Sequence, residues 1–234
     1  MATSTNQHQI CGSCGNTGTG KYCNQCGQPY ANKRITLKVL LHDVFHFFTH
    51  LEKGFGYTLK QLIVAPGTMQ REYVEGKRVN HQKPFSMFFI CISICALMRY
   101  LVFQELHKSE ANFWHNYSSF LYIFLVPIIT LFNWLLFARG KNNYAETGVL
   151  QLYMLAFIFL AVIPISLVLF IWHDLDTAYI EFPLLAVYSV ITFVNFYNTS
   201  PRWLVIIKSL VAISFVFLLV QVTEDFLMKI LKVK

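Results

Sequence analysis

Five apolar runs, each close to the roughly 20 residues a helix needs to cross a bilayer, fill most of the chain beyond Pro84. They are Pro84 to Gln104, Ser118 to Ala138, Val149 to Trp172, Ala178 to Tyr197 and Trp203 to Val222. One water-soluble domain rarely needs so many, so the runs predict an all-α polytopic membrane protein of about five transmembrane helices. Composition agrees: 13% of the 234 residues are charged, about half the share of an ordinary globular chain. That density cannot cover a surface in water. It excludes a disordered tail, a collagen-like fibre, a secreted disulfide scaffold and a cytosolic enzyme with one water-facing core. The fourth run is the weakest, because it holds Glu181, Pro183 and Asn195. Trp114, Trp172, Tyr179, Tyr197 and Trp203 fall near the ends of runs, where amphipathic rings favour the headgroup layer.

Charge divides the chain at the same place. Residues 1–83 carry ten Lys and Arg against Asp43, Glu52, Glu72 and Glu75, a net of +6, whereas the remaining residues net +1. Positive side chains resist transfer across an energised membrane, so the N-terminal end is expected on the cytosolic side of an inner (cytoplasmic) membrane. The start, MATSTNQHQ, lacks the charged n-region and apolar h-region of a secretory signal. Arg139, Lys141 and Arg202 then fall inside, and the turn with Asp174 and Asp176 falls outside. Five crossings put Lys229, Lys232 and Lys234 outside, against that pattern. The expected divisions are a cytosolic zinc ribbon at 1–30, basic His-bearing interfacial helices at 31–83, a five-span bundle at 84–222 and a short basic tail at 223–234. No internal repeat is evident.

The most specific local signal is a pair of CxxC knuckles, Cys11-Gly-Ser-Cys14-Gly and Cys23-Asn-Gln-Cys26-Gly, separated by eight residues. Four thiolates at this spacing can meet around one tetrahedral ion, and Gly15 and Gly27 can take the positive φ that turns backbone N–H groups toward sulfur. The intervening Gly- and Thr-rich stretch suits a hairpin. On a reducing side of the membrane the pattern argues against disulfides, so one structural zinc is expected. Closed four-sulfur coordination leaves no open position for catalysis. Lys21 is the one basic residue between Cys11 and Cys26, so nucleic acid is not an expected partner; protein docking is. Cys91 and Cys95, one turn apart in the first run, are expected to be packing residues.

As a helix from Thr36, the next stretch places Leu37, Leu40, Leu41, Val44, Phe48 and Leu51 on one face and His42, His46 and His50 on the other. At roughly 100° per residue the three histidines span an arc of about 80°. With Asp43 they form a possible second metal or proton site. Lys38 and Lys53 share that face and oppose a cation, which favours an interfacial helix whose His and Lys meet anionic headgroups. A second interfacial helix, Phe55 to Ala65, precedes a break at Pro66-Gly67, with Thr68 placed to cap a short helix from Met69. The basic segment that follows offers Arg71, Lys77, Arg78 and Lys83 to lipid headgroups, at about 1 kcal/mol each near an anionic surface. Gly76-Lys77 lacks the rest of a phosphate-binding P-loop.

Charges inside spans carry function by default. Arg99 and Glu181 both fall in outer halves and are expected to pair, with Asp174 or Asp176 nearby; Lys208 can snorkel from the inner end of the fifth run. The segments KYCNQCGQ, LLHDVFHFFTHLEKGFGYTLKQL, APGTMQREYVEGKRV and KPFSMFF, roughly Cys11 to Phe89, resemble an uncharacterised bacterial membrane family catalogued as domain of unknown function 3667. That resemblance implies a zinc ribbon before a multi-span region and brings no activity with it. The expectation is a non-enzymatic membrane scaffold or regulatory protein that docks a protein partner and contacts membrane lipid. The alternative is a lipid-acting enzyme or transporter built on His42, Asp43, His46 and His50. No Gly-x-Ser-x-Gly elbow, HExxH helix or Rossmann fingerprint is present.

Overall fold

The structure, a computed structural model, describes residues 8–31, 34–40, 54–105, 112–138, 142–172, 175 and 177–231. Two short strands, β1 (Gln9–Ile10) and β2 (Thr17–Gly18), pair antiparallel in the N-terminal module. Seven helices follow among the described residues beyond Gly54: α1 (Phe55–Val64), α2 (Thr68–Glu75), α3 (Pro84–Glu105), α4 (Asn112–Asn133), α5 (Tyr144–Leu167), α6 (Ala178–Phe196) and α7 (Arg202–Leu231). A π-helical turn, Trp134–Ala138, extends α4, and a 3₁₀ turn, Val168–Phe170, extends α5. Residues 37–40 are helical as well.

Among the described residues four helices are long and apolar enough to cross a membrane: Pro84–Val102, Tyr144–Phe170, Tyr179–Phe196 and Arg202–Leu227. Ile123–Phe137, in the second expected run, is a shorter apolar helix among the described residues. By length and composition this is a polytopic all-α integral membrane protein. Exposed Trp172, Tyr179 and Trp203 stand at helix ends as expected, whereas Tyr197 is buried. The last helix does not stop at Val222. It continues to Leu231, so residues 223–231 extend a rod of 30 residues, about 45 Å long and longer than a hydrocarbon core of roughly 30 Å.

The bundle is organised around α5. Every residue from Ala145 to Ala156 is buried, so this helix is enclosed on all sides over three turns. It starts with a reciprocal cap: Asn143 Oδ1 accepts from the Glu146 amide at 2.8 Å, and a Glu146 carboxylate oxygen accepts from the Asn143 amide at 2.9 Å. α3 lies along α5, and their shared core takes in Met87, Phe88, Cys91, Ile92 and Cys95. The two cysteines are thus packing residues, as expected. A second core joins Leu150 and Met154 to Phe193, Phe196 and Tyr197 of α6 and to Val205 and Ala212 of α7.

Within the region 31–83, expected to form interfacial helices, α1 and α2 press against α5 and α6, and bury Thr58, Leu62, Met69, Gln70 and Tyr73. The Tyr188 hydroxyl donates to the Leu62 carbonyl at 3.2 Å, and the Tyr153 hydroxyl donates to the Gln82 carbonyl. Tyr153 is nine residues into α5, so the start of α3 sits beside the second half of α5's enclosed stretch. α1 still shows Tyr57, Ile63 and Val64 outward, one face toward protein and the other apolar face toward its surroundings. The turn between α1 and α2 also differs. Gly67, with φ +79°, occupies the cap position and donates its amide to Gln70 Oε1 at 2.6 Å, while Thr68 is the first helical residue. The Gln70 side chain thus reaches back to the amide of the cap residue, while no side chain at the cap position accepts from the first turn.

Candidate metal centre and the collar that holds it

The two knuckles fold alike. Gly15 donates to the Cys11 carbonyl and Gly27 to the Cys23 carbonyl, each at 2.9 Å; Cys11 and Cys23 in turn donate to the carbonyls of Asn16 and Gln28. Gly15 and Gly27 have φ of +74° and +75°, the left-handed region that the turn demands and that a Cβ disfavours. Each knuckle is closed by its own antiparallel pairing, β1 with β2 and Tyr22 with Pro29. The expected hairpin is therefore split between the knuckles and does not lie in the stretch connecting them.

This geometry brings Cys11, Cys14, Cys23 and Cys26 together, with one sulfur from each within 4.8 Å of all the others. Cys11 and Cys26 are 3.5 Å apart, as are Cys14 and Cys23. In a tetrahedral zinc–thiolate site with bonds of about 2.3 Å the sulfurs lie roughly 3.8 Å apart, so the tetrad fits such an ion. Backbone amides of Cys26 and Gln25 favour the Cys23 thiolate and lower its pKa to about 6, against the opposing effect of burial. At Cys26 the Gln28 amide favours the thiolate, but burial and the three neighbouring sulfurs outweigh it and push the thiol up to about 12. Among the described residues this is the one cluster of three or more His, Cys, Asp or Glu groups close enough to share a metal.

Three contacts among the described residues tie the module and the chain leaving it to the bundle. Gln28, 4% exposed, donates from Nε2 to the Gly76 carbonyl at 2.6 Å, just past the end of α2. Arg34 then forks onto the buried Glu146 carboxylate, Nε at 2.6 Å and Nη2 at 3.0 Å, and Asn143 Nδ2 donates to the Ile35 carbonyl at 2.8 Å. The start of α5 is thus clamped by the chain leaving the ribbon. Arg34→Ala is expected to lower stability, because it leaves the buried Glu146 carboxylate short of a donor. Arg34→Lys should recover only part of it, because an ammonium cannot make the two-pronged contact. Thermal unfolding in mild detergent checks both.

The four residues expected to meet headgroups divide. Arg71 donates through Nη1 to the Asn195 carbonyl in the last turn of α6, and its Nε lies 3.8 Å from Glu75. Lys77 pairs with Glu72 at 2.9 Å. Arg78 donates to the carbonyls of Tyr73 and Val74 at 3.1 and 3.4 Å and lies over the Tyr73 ring. Arg78 and Lys83 both line a cavity, together with His81. Arg71 closes a helix end instead, where the helix dipole favours a cation. Lys208 Nζ donates to the Leu136 carbonyl in the π-helical turn at 2.7 Å. His42, Asp43, His46 and His50 lie outside the described residues, as do Asp174 and Asp176.

At the far end of the bundle Arg99 Nη1 of α3 lies 3.7 Å from Glu181 Oε1 in the first turn of α6, with side-chain exposures of 11% and 16%. The expected pair is brought together by helices far apart in sequence. Removing one partner of a buried pair strands the other charge, so Arg99→Ala and Glu181→Ala are each expected to cost about 3–5 kcal/mol. The double variant should cost less than the sum of the two, and Arg99→Glu with Glu181→Arg should recover part of the loss. Additive losses in unfolding midpoints would show that the two charges are not coupled.

Sequence reasoning missed Gln28, Arg34 and Glu146, and read Gly67 only as part of a break before a short helix. Glu146 carried a legible signal, Asn143-x-x-Glu146 before a long apolar run, which is a capping-box spacing. Fold and site together define a polytopic helical membrane protein with a cysteine tetrad able to hold a metal at one end of its bundle. Residues 52–95 match a family described as "Protein of unknown function (DUF3667)". The match covers α1, α2, the Gly67 turn and the first half of α3, and reaches neither the cysteine tetrad nor the later helices. No curated protein and no solved structure matches the chain.

Proposed function

We propose that this protein is a non-enzymatic scaffold or regulatory protein of the inner (cytoplasmic) membrane. Its cytosolic N-terminal ribbon holds one structural zinc and docks a protein partner, while the basic segment before the first span contacts anionic lipid. The observation that carries this is the Gln28–Gly76 contact, which fixes a closed tetrad of thiols onto the bundle. Four sulfurs fill a tetrahedral ion and leave no position for substrate, so the centre supports a shape and not a reaction. The ribbon presents Ile10 and Tyr22 outward, at 71% and 53% exposure, beside exposed Lys21. Apolar groups on so small a module are suited to an interface.

A photo-activated crosslinker at Tyr22 in intact membranes tests this. A discrete adduct is expected, lost when Cys23→Ser removes the metal and absent when the crosslinker replaces Lys60 on α1. An adduct that survives loss of the metal, or none at all, would count against docking through the ribbon.

A further inference from the structure

We propose that the cavity between residues 35–40, the end of α2 and the start of α3 binds a phosphate group, carried by an anionic phospholipid whose headgroup enters beside Pro84. This deepens the lipid contact proposed above and rests on it. The cavity measures about 230 Å³, below the roughly 300–1,000 Å³ of pockets that enclose drug-sized ligands. It has room for a headgroup and not for a whole lipid. Among the described residues its polar lining is Arg78, His81 and Lys83, with no carboxylate; Tyr73, Val39 and Val79 supply apolar wall.

The donors are positioned. Two backbone carbonyls, of Tyr73 and Val74, orient the Arg78 guanidinium over the Tyr73 ring. The His81 ring lies against Tyr57 and Tyr73, with centroids 5.1 and 6.2 Å away, and its buried Nδ1 has no hydrogen-bond partner among the described residues. Burial lowers the pKa of His81, Glu72 opposing, so the permanent charges at the cavity are those of Arg78 and Lys83. Two cations with a neutral imidazole between two tyrosine rings suit a tetrahedral oxyanion carrying one or two negative charges. Lys83 immediately precedes α3, which puts the cavity where a spanning helix begins and headgroups lie. Val39 and Val79, 46% and 41% exposed, form an apolar rim along which acyl chains can leave.

The test uses the full chain in detergent micelles, read by native mass spectrometry with phosphatidylglycerol, phosphatidylcholine or inorganic phosphate added. Phosphatidylglycerol should remain bound to the wild type and phosphatidylcholine should not. Lys83→Gln is expected to reduce the adduct about tenfold. Val79→Trp, which fills the cavity and leaves every charge in place, should reduce it equally. Lys60→Gln, exposed on α1, should leave it unchanged. An adduct that survives Val79→Trp, or that Lys60→Gln lowers as much as Lys83→Gln does, would overturn the site in favour of diffuse surface charge. Thermal stabilisation by inorganic phosphate, lost in Val79→Trp and without any lipid adduct, would overturn the lipid as the source. Carbonate extraction without detergent separates these outcomes from failure of the membrane reading, since an integral protein stays in the pellet whether or not the cavity binds.

Discussion

Exchanging Cys23 for serine is expected to remove the metal altogether, from one zinc per chain to less than about a tenth, in protein purified in mild detergent without added metal and measured by elemental analysis. The effect is large because the ribbon has almost nothing else to hold it: its buried apolar cluster is Cys11, Cys23 and Tyr30, with Cys26 against them. Binding energy for structural zinc in small peptides is of order 10–16 kcal/mol, which in the proposed reading stands in for a hydrophobic core. Residues 8–31 should become protease-sensitive while the helical signal of the bundle is retained. His42→Ala with His46→Ala should leave the zinc count at one. The pH dependence has a definite sign. Cys23, with its pKa lowered to about 6, is a thiolate at neutral pH, whereas Cys26, raised to about 12, keeps its proton until metal displaces it. Binding therefore releases protons, and retention should fall as pH is lowered from 8 toward 5. A metal held equally well across that range would argue against thiolate ligation.

Gly67→Ala is expected to be among the most damaging single substitutions in the helical region. At φ +79° an L-residue is strained, and an added Cβ would run into the Thr192 carbonyl, with Asn195 Cβ and the Phe196 amide at 2.8 and 2.9 Å. None of the three is the free end of a flexible side chain. The neighbours also cannot withdraw cheaply, because Asn195 Nδ2 donates to the Pro66 carbonyl at 2.8 Å and Arg71 donates to the Asn195 carbonyl. Backbone strain and overpacking cost about 1–3 kcal/mol each, so a loss of roughly 3 kcal/mol or more is expected. For a chain of this size that lowers the thermal midpoint by about 6–12 °C. Gly56→Ala provides the contrast. Gly56 lies within α1 and an added Cβ there meets nothing within 4 Å, so alanine should be neutral or stabilise by up to about 1 kcal/mol.

How far the fold was legible depended on whether the signal was local. Apolar runs announced the long helices because spanning length is a property of a contiguous segment, and Gly15 and Gly27 announced the knuckle turns because the strain sits on single residues. The pairing of Arg99 with Glu181 was legible too, since two isolated charges in the same half of a bundle have few other partners. Arg71 was read as meeting lipid, and the structure shows that its Nη1 holds the Asn195 carbonyl of a helix more than a hundred residues away. Nothing within the segment distinguishes a basic residue that faces headgroups from one that closes a distant helix end. The same holds for α1, whose Tyr57, Ile63 and Val64 point outward while Thr58 and Leu62 are buried. A helix apolar on two faces fits lipid or protein equally well by pattern.

The sequence by itself determined the class of this protein, the cysteine tetrad and its spacing, and the separation of a basic N-terminal region from an apolar bundle. Each of these is a matter of composition or of residues a few positions apart. Only the tertiary structure decided that the ribbon is anchored through Gln28 and Arg34, that Gly67 lies against the backbone of α6, and that Arg78, His81 and Lys83 share one cavity. These depend on which helix ends meet. That is settled by packing over the whole length of α5, a sum of many weak contacts that no local pattern records.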